Sequence, residues 1–236
     1  MKSFSLFFLL FAASQLSAQL LAPCPITDSL YNELNAQAAQ ILFNEMVINR
    51  TAADNPIELD SQRRAEYLRL LFAVHELDDS PERDTVIDQL RVRPFPLVYT
   101  NVIRLFATPD LDWMTNIRNG NPSGNQVLDS MMTRYGFEVS RYFEFGLDYN
   151  QVELTSTKHY NTEALAMEFE VAMPELERAG ARPLVGDGDN IEMIPLLPSG
   201  WRVRYSVGSG DCPSGCIFRQ NYDFEVEPGC TEFDIQ

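Results

Sequence analysis

Histidine and lysine are scarce in this sequence, and each scarcity excludes something. The 236 residues hold two histidines, His75 and His159. No HExxH run or other paired-histidine metal spacing occurs. A Ser-His-Asp triad would have to use one of the two, yet there is no G-x-S-x-G elbow, and Gly208-Ser209-Gly210 lacks its spacing. Basic residues are outnumbered by acids 34 to 18, for a formal charge of −16. A chain this acidic repels phosphate backbones, which argues against nucleic acid as a partner. Only Lys2 and Lys158 are lysines, so nearly every cation is a guanidinium. Glycine and proline occur at ordinary levels, which excludes a collagen-like or wholly disordered chain.

What is present points to export. Lys2, the apolar run Phe4 to Ala13 and the small residue closing Leu16-Ser17-Ala18 form the three parts of a secretory signal peptide over residues 1–18. The run is too short for a bilayer core of about 30 Å, and no second segment is long and apolar enough to span. Removal of residues 1–18 takes away Lys2 and no acid, leaving −17. The expected address is the periplasm, the cell surface or the extracellular medium.

Four cysteines remain: Cys24, Cys212, Cys216 and Cys230. An even count in an exported chain reads as two disulfides with three possible pairings. Pro213 and Gly215 suit a tight turn joining Cys212 to Cys216, which leaves Cys24 for Cys230. There is no CxxC and no histidine nearby to make them a redox pair or a metal site.

Along the chain, residues 19–96 read as a helical region. Thr27 to Ser29 offer caps for a helix to about Ile48, Asp60 or Ser61 caps a second, and Ser80-Pro81-Glu82 starts a third. Pro94 and Pro96 mark the exit to an α+β domain over 97–236. There, strands are expected at 97–106, 151–157 and 181–186, and helices at 127–135 and from 162 to before Pro174. A helical turn is expected around Tyr142 and Phe143. The clearest feature is a hairpin of 191–197 with 201–207 about Pro198-Ser199-Gly200. Trp201, Val203, Tyr205 and Val207 alternate with Arg202, Arg204 and Ser206. Phe218, Tyr222, Phe224 and Val226 alternate in the same way with Arg219, Asn221, Asp223 and Glu225. Antiparallel pairing of these two runs around the cysteine loop sets the arginines opposite the acids. The expected fold is an antiparallel sheet with helices on one face, ferredoxin-like or related, preceded by the helical region.

No catalytic residue stands out. His75-Glu76 reads as a solvated helix end, and an acidic composition by itself accounts for the many carboxylates. Gly186-Asp187-Gly188-Asp189-Asn190 resembles a calcium loop, with Asp187, Asp189 and Asn190 as candidate oxygen ligands. It departs from the EF-hand pattern, because Ile191 stands where a third oxygen belongs. A polar β-turn is the plainer reading.

The run Gly208-Ser209-Gly210-Asp211-Cys212-Pro213-Ser214-Gly215-Cys216-Ile217 lies between Trp201 and Phe224-Glu225-Val226. It resembles a motif of uncharacterised secreted proteins of the Bacteroidetes type. Gly186 to Ile191 and the segment from Asn121-Pro122-Ser123-Gly124-Asn125 to Tyr135-Gly136 are similar as well, so the likeness covers about residues 97–227. Gly180-Ala181-Arg182 stands where members often have Ala-Glu-Pro-Asn, and Gln220 and Tyr222 stand where they have His and Trp. The resemblance carries no activity with it. The layout is also similar to ferredoxin-like inhibitor and propeptide domains of subtilisin-type proteases. The expected function is a non-catalytic binding protein for a protein or small ligand. Its sharpest form is a protease inhibitor presenting the 207–217 loop, with Asp211 and Ser214 at the tip. The rival readings are a carboxylate-dependent hydrolase and an envelope-associated structural protein.

Overall fold

A computed structural model describes residues 23–236 except Leu147 and Thr231; the expected signal peptide, residues 1–18, lies outside the described residues. The protein is a mixed α+β structure whose longer strands form two antiparallel sheets.

The first layer begins with α1 (Asp28–Ile48) and α2 (Ser61–His75). Thr27 Oγ1 accepts from Leu30 N at 3.3 Å, and Asp60 Oδ1 from Gln62 N and Arg63 N at 2.9 and 3.1 Å. A single turn α3 (Pro81–Arg83), capped by Ser80, runs into a π-helical segment Asp84–Gln89. These helices bury Leu34, Ile41, Leu42, Leu68, Leu71 and Val86. The surface they cover is the sheet of β6 (Asn190–Pro195), β7 (Trp201–Ser209) and β8 (Phe218–Val226), in the order β6-β7-β8.

Between these halves, residues 98–183 build a second core around β2 (Val98–Ala107), β3 (Phe137–Glu144), β4 (Asn150–Ser156) and β5 (Arg178–Pro183), ordered β3-β4-β2-β5. The helices α4 (Asp112–Arg118) and α5 (Gln126–Tyr135) join β2 to β3, and α6 (Thr162–Ala172) joins β4 to β5. They bury Trp113, Leu128, Leu165 and Phe169 against Ile103, Leu105, Val152 and Leu154. The two cores therefore do not divide the chain at residue 96. The helical region shares its core with the last third of the sequence, because its apolar faces match the aromatic face of β7 and β8.

Tyr142 and Phe143 lie in strand β3, not in a helical turn. A bulge between Val139 and Arg141 interrupts the alternation there, which hides the strand from a period-two reading. The strand expected at 181–186 lies at 178–183, where Ala179 and Ala181 pair with Leu105 and Ile103. Two short strands not expected at all, β1 (Cys24–Ile26) and β9 (Phe233–Ile235), pair in parallel beside the bond Cys24–Cys230. The second bond joins Cys212 to Cys216. Two disulfides fit a chain that folds in an oxidising compartment. No helix among the described residues is long and apolar enough to cross a membrane.

In the three-stranded sheet Arg204 grips Asp223 with two bonds of 2.7 and 2.9 Å, and Arg202 holds Glu225 at 2.7 Å. Such exposed pairs contribute about 0.2–1 kcal/mol each. Burying Val203 or Phe224 on the opposite face contributes about 1.5–3 kcal/mol, so the apolar face carries the stability and the ion pairs fix register.

Asn161 fastens one core to the other. Its Oδ1 caps α6 through Ala164 N at 3.3 Å, while its Nδ2 donates to Ala52 O at 2.6 Å and Pro56 O at 3.2 Å in the first layer. Asn161→Ala removes the cap and the amide donor that ties the carbonyls of Ala52 and Pro56 to α6. We expect a loss of about 2–3 kcal/mol in urea unfolding. The double change Cys24→Ser, Cys230→Ser opens a loop of 206 residues. The chain-entropy model puts that loss at about 4–5 kcal/mol, measurable in the same titration.

Candidate functional site

Two sequence motifs twenty residues apart form one locus. The turn Gly186 to Asn190, leading into β6, lies against the loop between β7 and β8 that the Cys212–Cys216 bond closes. Asp187 N–H donates to Cys212 O at 2.8 Å. In return Asp187 Oδ2 accepts from Cys216 N at 3.3 Å, its Oδ1 accepts from Gly188 N at 2.8 Å, and Arg219 closes an ion pair on the same carboxylate. Asp189 Oδ1 accepts from Gly208 N at 3.0 Å. The approach is close enough to require glycine: a Cβ at Gly208 would overlap Cys216 Sγ and lie 3.0 Å from Gly188 O. Gly186, at φ +114°, would set a Cβ 3.2 Å from Cys212 O.

Two of the three candidate calcium ligands thus already serve this clasp. Asp187 holds the cysteine loop and Asp189 the end of β7, while Asn190 Oδ1 is buried without a hydrogen-bond partner. Among the described residues no three His, Cys, Asp or Glu side chains gather as a metal-binding group. Burial pushes the Asp187 carboxyl up, but Arg219 and the Gly188 and Cys216 N–H groups outweigh it and hold it below the usual carboxylate range.

Asp211 and Ser214 are exposed on the 3₁₀ turn Cys212–Ser214, as the loop's geometry requires. Two residues that sequence reasoning passed over are more prominent. Ile217 is 65% exposed and Phe218 68%. Phe218 has the parity of the buried face of β8, yet its side chain is exposed. The signal available was its place directly after the second cysteine. Beyond it β8 is an edge strand, paired on one side with β7 and on the other with no strand among the described residues.

The histidines lie elsewhere. His159 Nδ1 is 2.7 Å from Thr100 Oγ1 in a groove beside the Pro94–Pro96 linker. Burial, with Arg64 nearby, lowers its pKa below the ordinary histidine value. No carboxylate orients it among the described residues, so the pair lacks the third member of a nucleophilic triad. His75 lines a cavity of about 320 Å³ between α1, α2, the π-helical segment and Tyr205. This is the cleft between helices and sheet that a hydrolase would use, but its two acids are engaged: Glu33 with Arg93 at 2.6 Å and Asp88 with Arg83. The one described acid with a raised pKa, Glu45, owes it to burial and is held by Tyr67 and Arg63 at 2.7 Å each.

No family model, no curated protein and no solved structure matches the chain.

A carboxylate whose folded pKa is depressed contributes its stabilisation above the ordinary carboxylate range, and loses it as pH falls through the folded value. The clasp is therefore fully formed at neutral pH and released in acid. Hydrogen-exchange protection of the Gly188 and Cys216 amides should be high at pH 7 and fall on acidification below the ordinary aspartate range. Asp187→Asn should lower that protection at pH 7 and flatten its pH dependence.

Proposed function

We propose that this chain is an exported, non-catalytic binding protein that engages a protein partner through the cysteine loop and the adjoining edge of β8. The observation that carries the reading is the exposure of Ile217 and Phe218 on a backbone held rigid by a disulfide and the Asp187 clasp. Large apolar side chains displayed on a preorganised loop lose little entropy on binding, and a free strand edge offers backbone hydrogen bonds to an extended segment. The signal-like residues 1–18 and the disulfides support export, and the shared locus of the two glycine-rich motifs supports kinship with the secreted proteins they resemble.

Protease inhibition is the sharpest form of this function. The order β3-β4-β2-β5, with helices after its first and third strands in sequence, has the connectivity of a ferredoxin-like split βαβ unit. That agrees with the likeness to inhibitor and propeptide domains, though an architecture shared by many functions adds only modest weight. Incubation of micromolar protein with a panel of serine proteases, including subtilisin-type enzymes, is the test. Lowered activity of at least one enzyme is expected, with a tenfold or greater loss of inhibition in Phe218→Asp and Ile217→Asp. Full activity of every protease rejects inhibition.

A further inference from the structure

The face of the four-stranded sheet turned away from α4–α6 gathers positive charge that the rest of the chain lacks. Arg141, Glu153, Arg104 and Gly180 are successive cross-strand neighbours over β3, β4, β2 and β5. The Glu153 side chain is only 3% exposed, with Arg104 Nε 3.5 Å from one oxygen and Arg182 Nη1 3.3 Å from the other. Arg178 lies over the same row. Its Nη2 is 3.3 Å from the place a Gly180 Cβ would take, and its guanidinium carbon is 5.4 Å from the Phe106 ring centroid. Neither Arg141 nor Arg178 forms an ion pair among the described residues. With exposed Glu138 and Glu177 included, four arginines meet three glutamates, in a chain that carries −16 overall.

One row further along, Phe143, Gln151, Phe106 and Arg178 are neighbours. The rings of Phe106 and exposed Tyr149 stand edge to face, 6.0 Å apart at 71°. With Glu177 and Arg178 they line a cleft of about 230 Å³. Each wall asks for a different part of a ligand. The Arg178 guanidinium, in no ion pair among the described residues and set over the Phe106 ring, selects an oxyanion. The exposed Tyr149 ring and the half-buried Phe106 ring select an apolar ring face. The Glu177 carboxylate can only accept, so it selects hydroxyl donors. A long polyanion is disfavoured by the acidity of the whole chain, whereas a small ligand meets mainly the local field.

We propose that this cleft binds a small acidic sugar, a hydroxylated six-membered ring bearing one carboxylate or sulfate. The ring packs on Phe106 and Tyr149, the oxyanion meets Arg178, and the hydroxyls donate to Glu177. Glu153 holds Arg104 and Arg182 on the same face of the sheet. This site is separate from the cysteine loop and does not depend on the function proposed for it.

Isothermal titration of the disulfide-bonded full chain with glucuronate, glucose 6-sulfate, glucose and benzoate tests it. Saturable binding of an acidic sugar is expected, at least tenfold tighter than glucose and tighter than benzoate. The order of glucuronate and glucose 6-sulfate identifies the oxyanion. Arg178→Gln and Tyr149→Ala should each weaken binding tenfold or more, while Arg50→Gln, which removes one charge from the loop after α1, leaves it unchanged. Absence of binding, glucose bound as tightly as the acids, benzoate bound more tightly, or an unaffected Arg178→Gln would overturn the proposal.

Discussion

Pro94 and Pro96 have no N–H to donate, and the linker they sit in pairs with neither sheet, so its polar groups need partners from elsewhere. Helix α1 supplies them. Gln40 Nε2 donates to Val98 O at 2.9 Å, and Asn44 Nδ2 donates to Phe95 O at 2.8 Å while its Oδ1 accepts from Leu97 N at 3.2 Å. The two amides are also bonded to each other at 2.9 Å. This grip decides where β2 begins, and β2 is the strand on which β4 and β5 both pair. It also sets Phe95 against Gly188, where a Cβ would come within 2.8 Å of the ring. One helix face thus fixes the start of the second core and presses on the turn that clasps the cysteine loop.

The parts written locally were readable in the sequence. Thr27, Asp60, Ser80 and Asn161 each cap the helix that follows, and the alternation around Trp201 and Phe224 gave a hairpin with Arg202 and Arg204 opposite Glu225 and Asp223. What stayed hidden depends on partners distant in the chain. Gln40 and Asn44 look like ordinary polar helix residues until the linker lies against them. Phe218 has the spacing of a core residue and is nonetheless exposed at the start of β8. The arginine row needs the registers of four strands, one of them displaced by a bulge. Asp187 and Asp189 read as ligands because their chemistry is that of ligands; here the groups they serve are backbone amides and a guanidinium.

Arginine does the same work on both sheets. On β7 and β8 it pairs carboxylates in forks that hold register; on β2 and β5 two guanidiniums share Glu153. Lysine, a compact and strongly hydrated charge, could not span the two carboxylate oxygens of Asp223 as Arg204 does. A chain rich in acid keeps its sheets aligned through planar cations, and the few that lack a partner stand out against the background.

The pairing of β1 with β9 and the bond from Cys24 to Cys230 bring the two ends of the folded region side by side. Tension applied outside those cysteines passes directly across the sulfur–sulfur link. Of the first hydrophobic cluster, Phe233, which packs on Tyr31 and Phe72 beyond Cys230, stands in its path. Pulled at its ends, the protein behaves as a closed ring with a short covalent bar, and all 206 positions of separation between the two anchors stay slack while that bar holds.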